Sequence, residues 1–200
     1  MSTTTYAHTT LLEAVNTLLM AIGESPVNRV DSPGVVEAVQ AKAVILEVNR
    51  AVQSRGWHFN TRRGIDLLPQ SFAPFFIYVP ENTLSVDTVL EDRWIDVVLH
   101  GNKLYDSVND TYEFTRPLKV DLVSLLPFEN IPQQARHYVT IRAARIFQGR
   151  AIGSTELDSL SEADEIRAFR DLHAMETRRA GYNALRGGPL SKIRRHRKQS

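Results

Sequence analysis

The residue types that could do chemistry are present, but they are not spaced for it. Six histidines, His8, His58, His100, His137, His173 and His196, are scattered along the chain. No two stand at the spacing that lets one helix hold a zinc ion, so each reads as a surface or packing residue. Asp66, Glu81, Asp87, Glu91, Asp92 and Asp96 gather in the middle of the chain. Two of them could serve as a glycosidase acid and nucleophile, but that needs a fixed separation, and the plainer reading is a solvated sheet face. Trp57, Phe59, Phe75, Phe76, Tyr78 and Trp94 could stack sugars or bases, yet aromatics in strands usually fill a core or an interface. The absence of cysteine removes disulfides, thiolate zinc sites and a cysteine nucleophile, and fits assembly in a reducing cytoplasm. There is no Gly-x-Ser-x-Gly elbow, phosphate-binding glycine loop or dinucleotide fingerprint, and Gly187-Gly188 reads as a linker. No catalytic residue, cofactor or metal is expected.

The charge distribution is the one strong asymmetry. The formal net charge is +1, yet no acidic residue follows Glu176. Beyond it stand Arg178, Arg179, Arg186, Lys192, Arg194, Arg195, Arg197 and Lys198. Such a segment reads as a solvated end, a nonspecific nucleic-acid contact or a docking arm for an acidic protein. No aromatic residue follows Tyr182, which weighs against stacking on nucleic acid. Leu190 and Ile193 are the apolar anchors in this stretch, and Gly181 to Ser200 is expected to be mobile until a partner orders it.

The elements that position these groups follow from periodicity. Thr10 and Glu13 have capping-box spacing, and Leu11, Val15, Leu18 and Ile22 form the stripe of a first helix stopped by Gly23. Ser32 and Pro33 suit the start of a second helix running to Arg55. Ala41, Val44, Ile45, Val48, Ala51 and Val52 give it one face; Val39, Ala43 and Leu46 give it a second flank and predict contact on more than one side. Gly56 closes it, Trp57 is expected to fold back onto Val52, and Trp57 to Asn60 alternate as a strand would. Strands are then expected at 65–68, 75–79, 84–90, 94–100, 103–105 and 118–125, with a tight turn at Gly101-Asn102, forming one antiparallel sheet. A third helix follows Pro132 with Ala135, Tyr138, Val139, Ala143 and Ile146 on one face, ending near Gly149 to Gly153. A fourth runs from Ser154 or Thr155 to Ala180; its apolar residues Leu157, Leu160, Ala163, Ile166, Phe169, Leu172 and Met175, spaced by three, wind around the axis.

The fold class expected is α+β: a four-helix bundle (1–56 and 129–180) with an antiparallel β insertion (57–128) between helices two and three, then a basic tail (181–200). With 42% hydrophobic residues, 200 residues suffice for one sizeable core. Met1 to Thr10 has no signal-peptide character, and the longest uncharged run, Leu67 to Pro80, is too short to span a bilayer.

Several short blocks, in order, resemble the head-to-tail adaptor family of short-tailed phages, the tail tubular A proteins. They are Ala14-Val15-Asn16, Ile22 to Val27, Val48-Asn49-Arg50, Gln53-Ser54 and Gly56 to Asn60. Leu67-Leu68-Pro69, Leu104-Tyr105-Asp106 and Gly181-Tyr182-Asn183 extend the likeness. The resemblance implies a structural virion protein, synthesised in the host cytoplasm, that forms a dodecameric ring in the tail. Its implied partners are the portal protein, the tail nozzle (tail tubular protein B), a tail fibre and further copies of itself. DNA would pass through the lumen without specific recognition. On this reading the portal contact falls to Arg178, Arg179, Arg186, Leu190, Lys192, Ile193, Arg194, Arg195, Arg197 and Lys198. Two other classes stay open: a tail-associated polysaccharide or cell-wall hydrolase, and a DNA-binding module acting through the basic end.

Overall fold

The computed structural model describes residues 8–31, 36–151, 153 and 155–187, with the last helix's side chains described over 162–178. The protein is mixed α and β, with four α-helices and antiparallel sheets among the described residues. It divides into two compact units, one made of 1–49 with 128–200 and the other of 50–127.

In the first unit, α1 (Leu11–Ala21) begins with the expected reciprocal cap. The Glu13 N–H donates to the Thr10 hydroxyl at 3.2 Å, and the Thr10 N–H donates to the Glu13 carboxylate at 2.7 Å. At its other end Gly23 takes a φ of +82°, so that the Glu24 and Gly23 N–H groups reach back to the Leu19 and Met20 carbonyls. Asn16 then grips the following loop, exchanging two hydrogen bonds with the backbone of Val27 at 2.8 and 3.0 Å.

Helix α2 (Val36–Gln53) buries Ala38, Ala41, Val44, Ile45 and Val48. Residues 54 and 55 form a turn, so the helix stops short of the expected Arg55, and Ala51 is exposed. The expected cap at Ser32 and Pro33 lies outside the described residues. The second flank, Val39, Ala43 and Leu46, stands exposed among the described residues.

Helix α3 (Gln133–Ala151) buries Ala135, Tyr138, Val139 and Ala143 as expected, but Phe147 takes the core position assigned to Ile146, which is half-buried. Its Arg136 is buried and satisfied by backbone alone, donating to the carbonyls of Ile131 and Thr9 at 2.9 Å each and to that of Glu129. Helix α4 (Thr155–Gly187) runs past Ala180, straight through Gly181. One glycine costs about 1 kcal/mol in a helix interior, which the good helix formers Ala184, Leu185 and Arg186 can offset. Among its described residues Leu172 is buried, Phe169 and Met175 are half-buried, and Ala163 and Ile166 are exposed, so the series spaced by three winds off the core face toward the start of the helix, while Ala168 joins Leu172 on the buried face. Glu165 fastens α4 to α3, accepting from Arg142 at 2.8 Å and Arg145 at 3.1 Å.

The second unit holds two sheets where one was expected. The first orders β1 (Thr61–Leu67), β5 (Leu118–Ser124) and β2 (Thr83–Thr88) as β1-β5-β2; the other pairs β3 (Val97–His100) with β4 (Lys103–Asp106). The β3–β4 turn is the anticipated Gly101-Asn102, with Gly101 at φ +65° and His100 opposite Lys103. Ile77, Val79, Val86, Leu104, Phe114, Leu118, Val120 and Leu122 form the core of this unit.

The expected strand at 75–79 is reduced to single bridges from Phe76 to Glu113 and Tyr78 to Lys103. Pro74 and Pro80 close both of its ends, and neither can donate to a ladder. The expected strand start at Trp57 is also replaced, by a turn over 58–60. There the Asn60 side chain accepts the Trp57 N–H at 2.8 Å, an alternative to pairing in a sheet.

Candidate functional site

Three groups of residues were candidates for function, and the structure treats them differently. The carboxylates lie mostly on the surface. Asp66, Glu81, Asp87, Glu91 and Asp96 are exposed, and Asp92 alone is buried. Asp92 is committed elsewhere: it meets Arg116 at 2.5 Å and accepts the Lys119 N–H at 2.7 Å. Burial pushes its pKa up, but these two partners outweigh it and hold the carboxyl below the usual aspartate value. Asp66 pairs with Lys119 at 3.4 Å, and Asp96 accepts from Ser107 at 2.6 Å. Among the described residues no group of three or more histidines and carboxylates could hold a metal ion.

The aromatics separate into a joint, a surface cluster and an exposed position. Trp57 folds back as expected, but the link is polar: its indole N–H donates to the Val52 carbonyl at 2.7 Å. On the outer face of β3–β4, His100 stacks on Tyr105 at 4.8 Å, Tyr105 lies against Tyr112, and the Lys103 ammonium sits 4.9 Å from the Phe76 ring centre. These rings spend their faces on one another, which leaves little platform for a sugar or base. Trp94 is 76% exposed with Arg93 over its ring, on a turn whose Leu90 has a φ of +58°. That outlier, and the pinning of the turn by Asp92, left no signal in the sequence.

The basic segment is only partly described. Arg178 is exposed on α4, beside a groove also lined by Gln134, Asp171, Ala174 and Met175. Arg179 and Arg186 belong to α4, though their side chains lie outside the described residues, as do Leu190, Lys192, Ile193, Arg194, Arg195, Arg197 and Lys198 altogether.

What remains is surface able to meet another protein. Val36, Val39, Ala43 and Leu46 stand exposed along one line of α2. Beside them runs a largely apolar groove of about 330 Å³ between α2 and the end of α3, lined by Ala43, Val44, Phe147 and Ala151 among others. Glu47 and Arg150 close one side of it with two hydrogen bonds, at 2.9 and 3.0 Å.

Several of the blocks that suggested a family in the sequence prove to be joints. Asn16 holds Val27, Trp57 holds Val52, and Asn60 donates to the carbonyls of Gln53 and Ser124 at 2.9 and 3.0 Å. Gln53, fully buried, exchanges two hydrogen bonds with the backbone of Leu126.

Comparison with known proteins agrees with this picture of a fastened scaffold. The sequence profile of the tail tubular protein family matches residues 12–182. Tail tubular protein A of Klebsiella phage KP34 is 30% identical over 128 residues, covering 64% of this chain and 66% of that protein, so the chain spans just under two thirds of this relative's length. A match over most of the sequence shows the membership: the chain belongs to the tail tubular protein family, structural proteins of the phage tail.

Proposed function

We propose that this protein is the ring-forming adaptor that joins the portal of the phage head to the tail nozzle, its copies closing around the channel through which the genome leaves. One observation carries the reading: an apolar line on α2 that stands exposed among the described residues. Exposed apolar surface in contiguous stretches marks interaction sites, and copies that present one patch and receive it on another build rings when the rotation between them closes. The resemblance suggests twelve copies and takes the four helices as one bundle interrupted by the β segment. The tail fibre would attach near the same junction.

The basic end supplies the contact with the portal. Each ordered residue costs about 1–2 kcal/mol of backbone entropy, so one copy of the arm from Arg178 to Lys198 would bind weakly. Many copies in a ring raise the effective concentration and make the sum tight. DNA is the weaker candidate, because a strong grip in the channel would oppose genome transit. No enzymatic step is assigned to any residue. The test is the mass of the purified protein, alone and after mixing with portal rings. A closed multi-copy assembly on the portal is expected, and a single copy per portal ring would overturn the reading.

A further inference from the structure

We infer that α2 of one subunit packs antiparallel against α4 of the next, an inference that rests on the ring reading and names its contact. On α2 the exposed line is Val36, Val39, Ala43 and Leu46, at steps of three, four and three. Val36, Val39 and Leu46 are 60%, 54% and 40% exposed. This is the spacing of a seam that takes knobs from a second helix.

Within the described residues, α4 carries an exposed line with the same steps: Ala163, Ile166, Arg170 and His173. Ile166 is 45% exposed. Laid antiparallel, the two lines bring Leu46 to Ala163, Ala43 to Ile166, Val39 to Arg170 and Val36 to His173. Large meets small at the first two levels, which is how facing helices interdigitate without voids. At the other two, the aliphatic stem of Arg170 can cover Val39 while its guanidinium turns outward.

The charges agree with this direction. Exposed Glu37 flanks the α2 line at the end that meets Arg170 and His173. A parallel docking would instead set Glu37 beside Glu162 and Asp164, both acidic and exposed. Like charges there would oppose it. The antiparallel docking brings Glu47 to that end, but Glu47 is already paired with Arg150. Because each copy offers one α2 line and one α4 line, the contact is head-to-tail and propagates until the ring closes. In an antiparallel pairing of α2 with its own counterpart, Val36 would face Leu46 at both ends, large against large, which disfavours that arrangement.

The chain contains no cysteine, so engineered thiols report this contact without background. The protein carrying both Ala43→Cys and Ile166→Cys would be mixed with portal rings and oxidised. A ladder of disulfide-linked oligomers is expected from the double variant. Each single variant, which also serves as the folding control by circular dichroism, should stay monomeric on a denaturing gel. A dimer from Ala43→Cys alone would mean that α2 meets α2 and would overturn the inference. Full-size assemblies on the portal without a ladder would also overturn it while leaving the ring intact. Failure of the unmodified protein to assemble at all would remove the ring and this contact together.

Discussion

Several buried polar residues fasten distant parts of this chain to one another. Asp92 is the clearest case, because its carboxylate ties the turn at 90–92 to Arg116 and to the backbone of β5. Replacing it by Asn keeps an oxygen for the Lys119 N–H but removes the ion pair. Since Arg116 is half-exposed and can find water, a loss of about 1–3 kcal/mol is expected, below that of a fully buried pair. The acid response follows from the same residue. Asp92 and Asp106 both have folded pKa values held below the ordinary aspartate value: burial raises each, and hydrogen bonds outweigh it, from Arg116 and Lys119 for the first and from Asn109 and Val108 for the second. Between the folded and unfolded values the unfolded chain binds more protons. The stabilisation is therefore present above about pH 4 and fades as pH falls through the folded values. Urea midpoints at pH 7 and pH 3 should differ by less in Asp92→Asn than in the parent. An equal gap would show that Asp92 contributes nothing to acid sensitivity.

At the scale of elements, the two glycines that end α1 and α2 make a controlled comparison. Both have positive φ, +82° at Gly23 and +71° at Gly56. A Cβ at Gly23 would meet nothing, whereas one at Gly56 would lie 3.2 Å from a Val123 methyl. Alanine at position 23 should cost about 1–2 kcal/mol for the backbone alone, and alanine at 56 visibly more, since it must also displace β5. Thermal unfolding of the two variants checks the ordering, and equal losses would refute it. These stops, the Thr10–Glu13 cap and the Gly101-Asn102 turn were legible because each is a local rule written in neighbouring residues. The split into two sheets, the loss of the strand at 75–79 and the full length of α4 were not. They depend on which distant partners a segment finds, as when Phe76 and Tyr78 bridge to two different places. Which part of the Leu157 to Met175 series packs was not legible for a related reason: a count of apolar residues cannot tell a packed Leu172 from an uncovered Ile166.

At the scale of the whole molecule, the family was legible in short blocks, several of which turned out to be fasteners, while the surfaces that would meet other proteins were not, because exposure is a property of the folded chain. The extent of α4 also moves the cut that tests the basic arm. Truncation after Gly187 leaves that helix whole and removes Lys192, Arg194, Arg195, Arg197 and Lys198 together. The shortened protein should unfold at the parent temperature yet bind portal-bearing heads more weakly, with a reduced dependence on salt. Unchanged binding across a salt series would return the arm to a solvated end. Finally, the two tryptophans divide the protein's light emission into separate channels. Trp57 is 8% exposed with its indole bonded to the chain, while Trp94 is 76% exposed beneath Arg93. Iodide should therefore extinguish a red-shifted fraction belonging to Trp94 and spare a blue-shifted fraction belonging to Trp57. Without any added dye, one wavelength then follows the integrity of the helix end at Gly56, and the other reports whether a neighbour has come to rest on the turn that carries Trp94.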